Sequence, residues 1–251
     1  MDFGISGKKA LVLGASRGLG AAIAKALVAE GVHVYAAARN VDKIVVGDKM
    51  TPVQLDLSDK ASVDALIARM KGEGIEILVN NSGGPKAGPA VGQTREAWSS
   101  SFEMMATSLF AITDALLEGM MAGGWGRIIT VGSSGVEQPI ANLALSNGVR
   151  AAIAGWSKTL ASEVAGKGVT VNMILPGRID TDRVRELDGI KADKTGKSVE
   201  SVQEASRNDI PVGRYGRPEE FGAVAAFLAS VPASFVNGSM VRVDGGMIKG
   251  L

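Results

Sequence analysis

Residues 9–31 read KALVLGASRGLGAAIAKALVAEG. An apolar run, Ala10 to Leu13, meets glycines at Gly14, Gly18 and Gly20. A helical pattern follows at once, with Ile23, Leu27 and Val28 near 3.6-residue spacing, and Gly31 stops it. Strand, glycine loop and helix is the layout that presents free backbone N–H groups and a helix N-terminus to a diphosphate. Residues without Cβ let the backbone approach the anion and take positive φ. The spacing is G-x-x-x-G-x-G rather than the dinucleotide fingerprint G-x-G-x-x-G, and no Lys-Ser or Lys-Thr follows the last glycine as a Walker loop would require.

Outward from that stretch the same alternation repeats. Strand-like apolar runs stand at 10–13, 32–37, 52–55, 75–79, 127–131, 170–174 and 240–243, with helical patterns over 19–30, 59–71, 94–121, 149–165 and 218–229. Ser58 and Thr94 read as N-caps. Regular βαβ alternation predicts one α/β domain over residues 1–251, a doubly wound parallel sheet of seven strands with helices on both faces and right-handed crossovers. A length of 251 residues and 46% hydrophobic but only 4% aromatic content suit a large aliphatic core of that kind. One polar segment, residues 182–210, breaks the alternation after the sixth strand, where the carboxyl edge of a sheet binds ligands; it reads as a substrate lid.

Composition narrows the chemistry. A net charge of +1 without blocks of like charge favours neither nucleic acid nor an anionic membrane as a partner. The absence of cysteine excludes disulfides, thiol catalysis and zinc–thiolate sites, and a single histidine, His33 in the second strand, supports neither a His-based triad nor a multi-His metal site. No uninterrupted apolar run is of membrane-spanning length, and the start of the chain carries no signal-like apolar segment, so a cytoplasmic location is expected. Cofactor choice also has a physical signature. NAD sites place an acid at the end of the second strand to bond the ribose 2′-hydroxyl. Here that place reads Ala37-Ala38-Arg39, and Arg39 together with Arg17 is suited to pair with a 2′-phosphate, which favours NADP(H) over NAD(H).

Further motifs lie at strand ends: Asn80-Asn81-Ser82-Gly83, Pro176-Gly177-Arg178-Ile179-Asp180-Thr181 and Val243-Asp244-Gly245-Gly246. Taken with GASRGLG and IPVGRYGRPEE, they make nearly the whole chain resemble the short-chain dehydrogenase/reductase family, in its bacterial 3-oxoacyl-(acyl carrier protein) reductase-like branch. Leu13 stands where that family usually has Thr. The resemblance implies that Gly14, Ser16, Gly18, Leu19 and Gly20 hold the pyrophosphate and adenosine ribose. It implies that Asp56 and Leu57 meet the adenine and that Asn81, Ser82 and Gly83 line the riboses. Pro176, Gly177, Ile179 and Thr181 would then contact the nicotinamide.

The family's Tyr-x-x-x-Lys has no match. The corresponding stretch reads Ser146-Asn147-Gly148-Val149-Arg150, followed by a family-like AAIAGWSKTLASEVA. The resemblance places Ser146 at the Tyr and Arg150 at the Lys, and the only tyrosines are Tyr35 and Tyr215. The family's Asn falls at Met105; its Ser is retained as Ser133, with Ser134 beside it. An alkyl hydroxyl ionises far less readily than a phenol, and arginine stays protonated. Ser133, Ser146 and Arg150 are therefore expected to act as hydrogen-bond donors, Arg150 also bonding the nicotinamide ribose. Three readings stand. The first is an NADP(H)-dependent oxidoreductase acting on a carbonyl or alcohol through an atypical site. The second is an NADP(H)-binding homologue without reductase activity, serving as sensor or partner subunit. The third is a lyase or epimerase on the same fold. The helices over 94–121 and 149–165 are rich in Ala, Leu and Met, and the family uses them as a dimer face within homotetramers, so self-association is expected.

Overall fold

The computed structural model describes residues 2–250. Seven strands form one parallel sheet: β1 (Lys9–Leu13), β2 (His33–Ala38), β3 (Met50–Gln54), β4 (Ile77–Asn80), β5 (Gly126–Val131), β6 (Val169–Pro176) and β7 (Met240–Val243), in the order β3-β2-β1-β4-β5-β6-β7. Each expected strand is present to within two residues. Alternation along the strands sends side chains to two cores. Ala10 and Val12 of β1 pack with α1 (Gly18–Ala29) and α8 (Pro218–Leu228), whereas Leu11 and Leu13 pack with α2 (Lys60–Met70) and α4 (Ser108–Ala122). The helices α1 and α8 approach so closely that a Cβ on Gly222 would lie 2.7 Å from the Ala22 carbonyl oxygen.

Several expectations are corrected. The helix expected over 94–121 is three pieces: α3 (Arg95–Phe102), a π turn (Glu103–Thr107) and α4. A one-residue insertion within a helix leaves no mark in a period count. Contrary to the expectation of no membrane-length segment, the span Arg95–Ala122, 28 residues, is long and apolar enough to cross a bilayer by length and composition alone. Half of its most apolar stretch is buried, with Leu109, Ile112 and Leu116 in the core under the sheet. The helix expected over 149–165 starts earlier, as α5 (Ala144–Val164), which brings Ser146 into its first turn. Thr94 caps α3 by accepting from the Ala97 N–H, but Asp59 rather than Ser58 caps α2, because Ser58 is occupied with Asp56. The polar insertion forms α6 (Asp182–Thr195) and α7 (Val199–Asn208).

Candidate cofactor and active site

The chain runs outward from β1 to β3 and then resumes at β4 on the other side of β1, so the strand order reverses between the parallel neighbours β1 and β4. Such a switch point opens a crevice at the carboxyl ends of the strands. Asn81 spans it: its Nδ2 donates to the Leu13 carbonyl at 3.1 Å and to that of Gly14 at 3.5 Å. That clamp fixes the start of the glycine loop. Gly14 and Gly18 take φ of +64° and +57°, and a Cβ on Gly20 would run into the Gly14 carbonyl. At the N-cap, Arg17 makes no side-chain cap, which leaves the first-turn N–H groups of α1 directed into the crevice. Buried beside Asn81, the Ser82 hydroxyl has no hydrogen-bond partner among the described residues, while Gly83 is exposed. A Cβ-free cradle, an uncapped helix start and an orphaned hydroxyl together fit a dinucleotide diphosphate and ribose.

From β6, the loop Pro176–Thr181 closes the other side. Gly177 donates its N–H to the Val243 carbonyl at 3.0 Å and packs against Asp244 too tightly for a side chain. Thr181 is buried, its Cγ2 only 3.6 Å from where a Gly18 Cβ would stand, so this loop and the glycine loop meet. A cleft of about 650 Å³ adjoins Ser16, Arg17, Gly18 and Thr181 on the α1–α8 side, with Lys43 on its wall. It contains none of Asn81, Ser133, Ser146 and Arg150, so it is an annex to the glycine loop rather than the crevice itself.

Arg17 in the glycine loop and Arg39 after β2 are exposed and make no ion pair among the described residues. The sequence pattern did not show that Asp56, from the end of β3, lies within electrostatic reach of Arg39. Hydrogen bonds from the Ser58 hydroxyl and then the Ser58 N–H, helped by Arg39, hold the Asp56 carboxyl below its usual range. Leu57 accepts from the Ser108 hydroxyl through its carbonyl at 2.8 Å, which ties this corner to α4.

Ser133 follows β5 with an extended backbone, and its Oγ accepts the Gly135 N–H at 3.0 Å. Asn147 hydrogen-bonds the Ile140 carbonyl at 2.8 Å and anchors the first turn of α5 to the segment after Ser133. One turn separates Ser146 from Arg150 on the same helix face. Arg150 Nη1 donates to the Val131 carbonyl at 2.8 Å, and no carboxylate pairs with it among the described residues. Desolvation pushes its guanidinium down to about 10, so it remains a cation at neutral pH. Met105 is fully buried in the π turn with Val149, Ile153, Met173 and Leu175, and brings no polar group. Neither tyrosine is free. Tyr35 donates to Glu73 near the amino edge of the sheet, and burial with that contact pushes it up to about 12; Tyr215 donates to Asp188 at 2.8 Å.

The family model described as enoyl-(acyl carrier protein) reductase matches residues 14–248. The chain is 35% identical to 3-oxoacyl-(acyl carrier protein) reductase FabG of Vibrio cholerae, over 97% of this chain and 98% of that one, and 34% identical to FabG of Escherichia coli, over 96% and 97%. Among solved structures, L-sorbose reductase of Gluconobacter frateurii complexed with NADPH and L-sorbose superposes with a TM-score of 0.92 at 32% identity, covering all of both chains. YwfH, an NADPH-dependent reductase involved in bacilysin biosynthesis, superposes with a TM-score of 0.92 at 27% identity, over 98% of this chain and 100% of that one.

Proposed function

The chain belongs to the short-chain dehydrogenase/reductase family, and from that premise we propose that it is an NADP(H)-dependent oxidoreductase acting on a carbonyl or alcohol substrate through an atypical catalytic site. The observation that carries the reading is Arg150: an enclosed cation without a carboxylate, one turn from Ser146, at the carboxyl end of β5. We take Ser146 and Arg150 to occupy the places of the family's tyrosine and lysine.

In this reading Gly14, Ser16, Gly18, Leu19 and Gly20 cradle the diphosphate against the start of α1. Arg17 and Arg39 pair with the 2′-phosphate, and Asp56 and Leu57 flank the adenine. Asn81, Ser82 and Gly83 line the riboses, while Pro176, Gly177, Ile179 and Thr181 bear on the nicotinamide. NADPH supplies the hydride when bound. The chain's own part is to hold the substrate carbonyl against donors. Ser133 and Ser146 donate O–H groups, and the N–H groups of Arg150 not engaged by Val131 stabilise negative charge on the oxygen or bond the nicotinamide ribose. Because Arg150 stays charged and both tyrosines are committed elsewhere, the proton for the product oxygen comes from water. Lacking a positioned general acid typically costs about 10²–10⁴-fold in rate, so slow turnover is expected.

A second reading, an NADP(H)-holding sensor or partner subunit, is favoured by the buried, apolar Met105 together with Ser146. A lyase or epimerase reading is distinguished by product formation without change in NADPH absorbance. The deciding experiment titrates the protein with NADPH and NADH, then follows NADPH oxidation across a panel of ketones, aldehydes and imines. Turnover on any member supports the oxidoreductase; tight NADPH binding with none overturns it in favour of the sensor. Ser146→Tyr combined with Arg150→Lys should raise reductase activity at least about tenfold if only the proton relay is altered. We also propose a homotetramer in the cytoplasm. Phe110 and Trp156 pack with ring centroids 4.3 Å apart beside a groove on the α4–α5 face, and Phe235 is fully exposed elsewhere.

A further inference from the structure

Helix α6 is polar along most of its length, yet it contains the only buried carboxylate among the described residues, Asp188, at 0% exposure. A carboxylate is not withdrawn from water without partners, and both oxygens of Asp188 have one. Arg178 Nη1 stands 2.5 Å from Oδ1, and the Tyr215 hydroxyl donates to Oδ2 at 2.8 Å. The three come from separate places: Arg178 from the loop after β6, Asp188 from the insertion, and Tyr215 from the return segment before α8. Arg178 also lies over the Tyr215 ring, its Cζ 5.8 Å from the centroid. The backbone repeats the link: the Gly216 N–H donates to the Arg178 carbonyl at 2.9 Å and the Asp180 N–H to the Gly216 carbonyl at 2.8 Å. Beyond this knot, Arg185 pairs with Asp180 and Asp182, and Thr181 reaches the glycine loop.

We propose that Asp188 is a positioning residue: through Arg178 and Tyr215 it sets the loop Pro176–Thr181 and holds α6 and α7 as a lid over the carboxyl edge of the sheet. The proposal rests on the NADP(H) reading of that loop. Apolar contacts alone resist sliding weakly, because they have no directional preference. A charge-assisted bond from a planar guanidinium and a second one from a phenol fix α6 in one register. Ile179 and Thr181 lie one and three residues from Arg178, so a shift of the knot is passed directly to the residues assigned to the nicotinamide.

The test uses Asp188→Asn, Tyr215→Phe and Arg178→Lys in the full-length protein. Amide hydrogen exchange is measured without cofactor, and NADPH affinity by titration. Asp188→Asn should raise exchange over residues 176–208 by about tenfold or more, with β1, β4 and β5 unchanged, and weaken NADPH binding about tenfold. Tyr215→Phe, which removes a single hydroxyl and keeps the protein folded if Asp188→Asn does not, should move the same segments by less. Arg178→Lys, keeping the charge without the fork, should fall between wild type and Asp188→Asn. Unchanged exchange over 176–208 in folded variants overturns the proposal. So does raised exchange with NADPH affinity intact, since the knot would then hold helices without placing the loop. Failure of the wild-type protein to bind NADPH overturns the cofactor reading instead, and the exchange pattern still decides whether the knot fastens the lid.

Discussion

Arg39 is exposed, without an ion pair among the described residues, and close enough to Asp56 to help lower its pKa. A 2′-phosphate at this corner would draw Arg39 toward two competing anions, and the phosphate, with more charge and more acceptor oxygens, should win. Arg39→Ala is therefore expected to weaken NADPH binding by about 10- to 100-fold while leaving NADH binding nearly unchanged. Removing the competing acid with Asp56→Asn should tighten NADPH binding or leave it unaltered. Titration of each variant with both nucleotides checks this, and an equal loss for NADPH and NADH in Arg39→Ala would contradict the assignment. The assignment of Arg39 and Arg17 starts from a local fact of the sequence, the absence of an acid at the end of β2. The approach of Asp56 to Arg39 is not written in any one stretch of sequence; it depends on β3 pairing beside β2.

At the scale of elements, each helix start carries its own electrostatics. Helix α1 begins uncapped, which suits an anion site, whereas α8 begins with Pro218 and with Glu220 reaching back to accept the Arg217 N–H at 2.7 Å. Hydrogen bonds from Arg214 and then from the Arg217 N–H pull Glu220 from 4.5 down to about 2. A carboxylate depressed in the folded state stabilises the fold above its unfolded pKa, and that stability fades as pH falls toward about 2. Glu220→Gln should therefore lower the melting temperature near neutral pH, with variant and wild type converging in strong acid. Parallel thermal melts across that range test it; a constant gap would mean that Glu220 acts through packing. The π turn at Glu103–Thr107 is the element the sequence concealed. The resemblance assigns Met105 to the place of a polar group; its burial against Val149 and Met173 is a product of the turn and of its packing against α5.

For the whole molecule, the half-buried aromatic pair on α4–α5 and the exposed Phe235 bear on assembly. The paired Phe110 and Trp156 on α4–α5 and the open Phe235 are the two faces proposed to build a tetramer. Phe110→Glu should split it into dimers held by the other face, as read by sedimentation velocity, and a wild-type monomer would refute the assembly. What the sequence determined by itself was the sheet, its seven strands and the glycine loop, because apolar alternation and positive-φ glycines are written in neighbouring residues. It also determined that no tyrosine lies near Ser146 and Arg150 in the chain, whereas the start of α5 at Ala144, which takes Ser146 into the helix, came from the structure. What only the tertiary structure decided was how distant segments converge: Asn81 clamping the glycine loop across the switch point, Arg150 enclosed against Val131, and Arg178, Asp188 and Tyr215 knotted together. Those contacts depend on strand order and on burial, and neither is a property of any short stretch of chain.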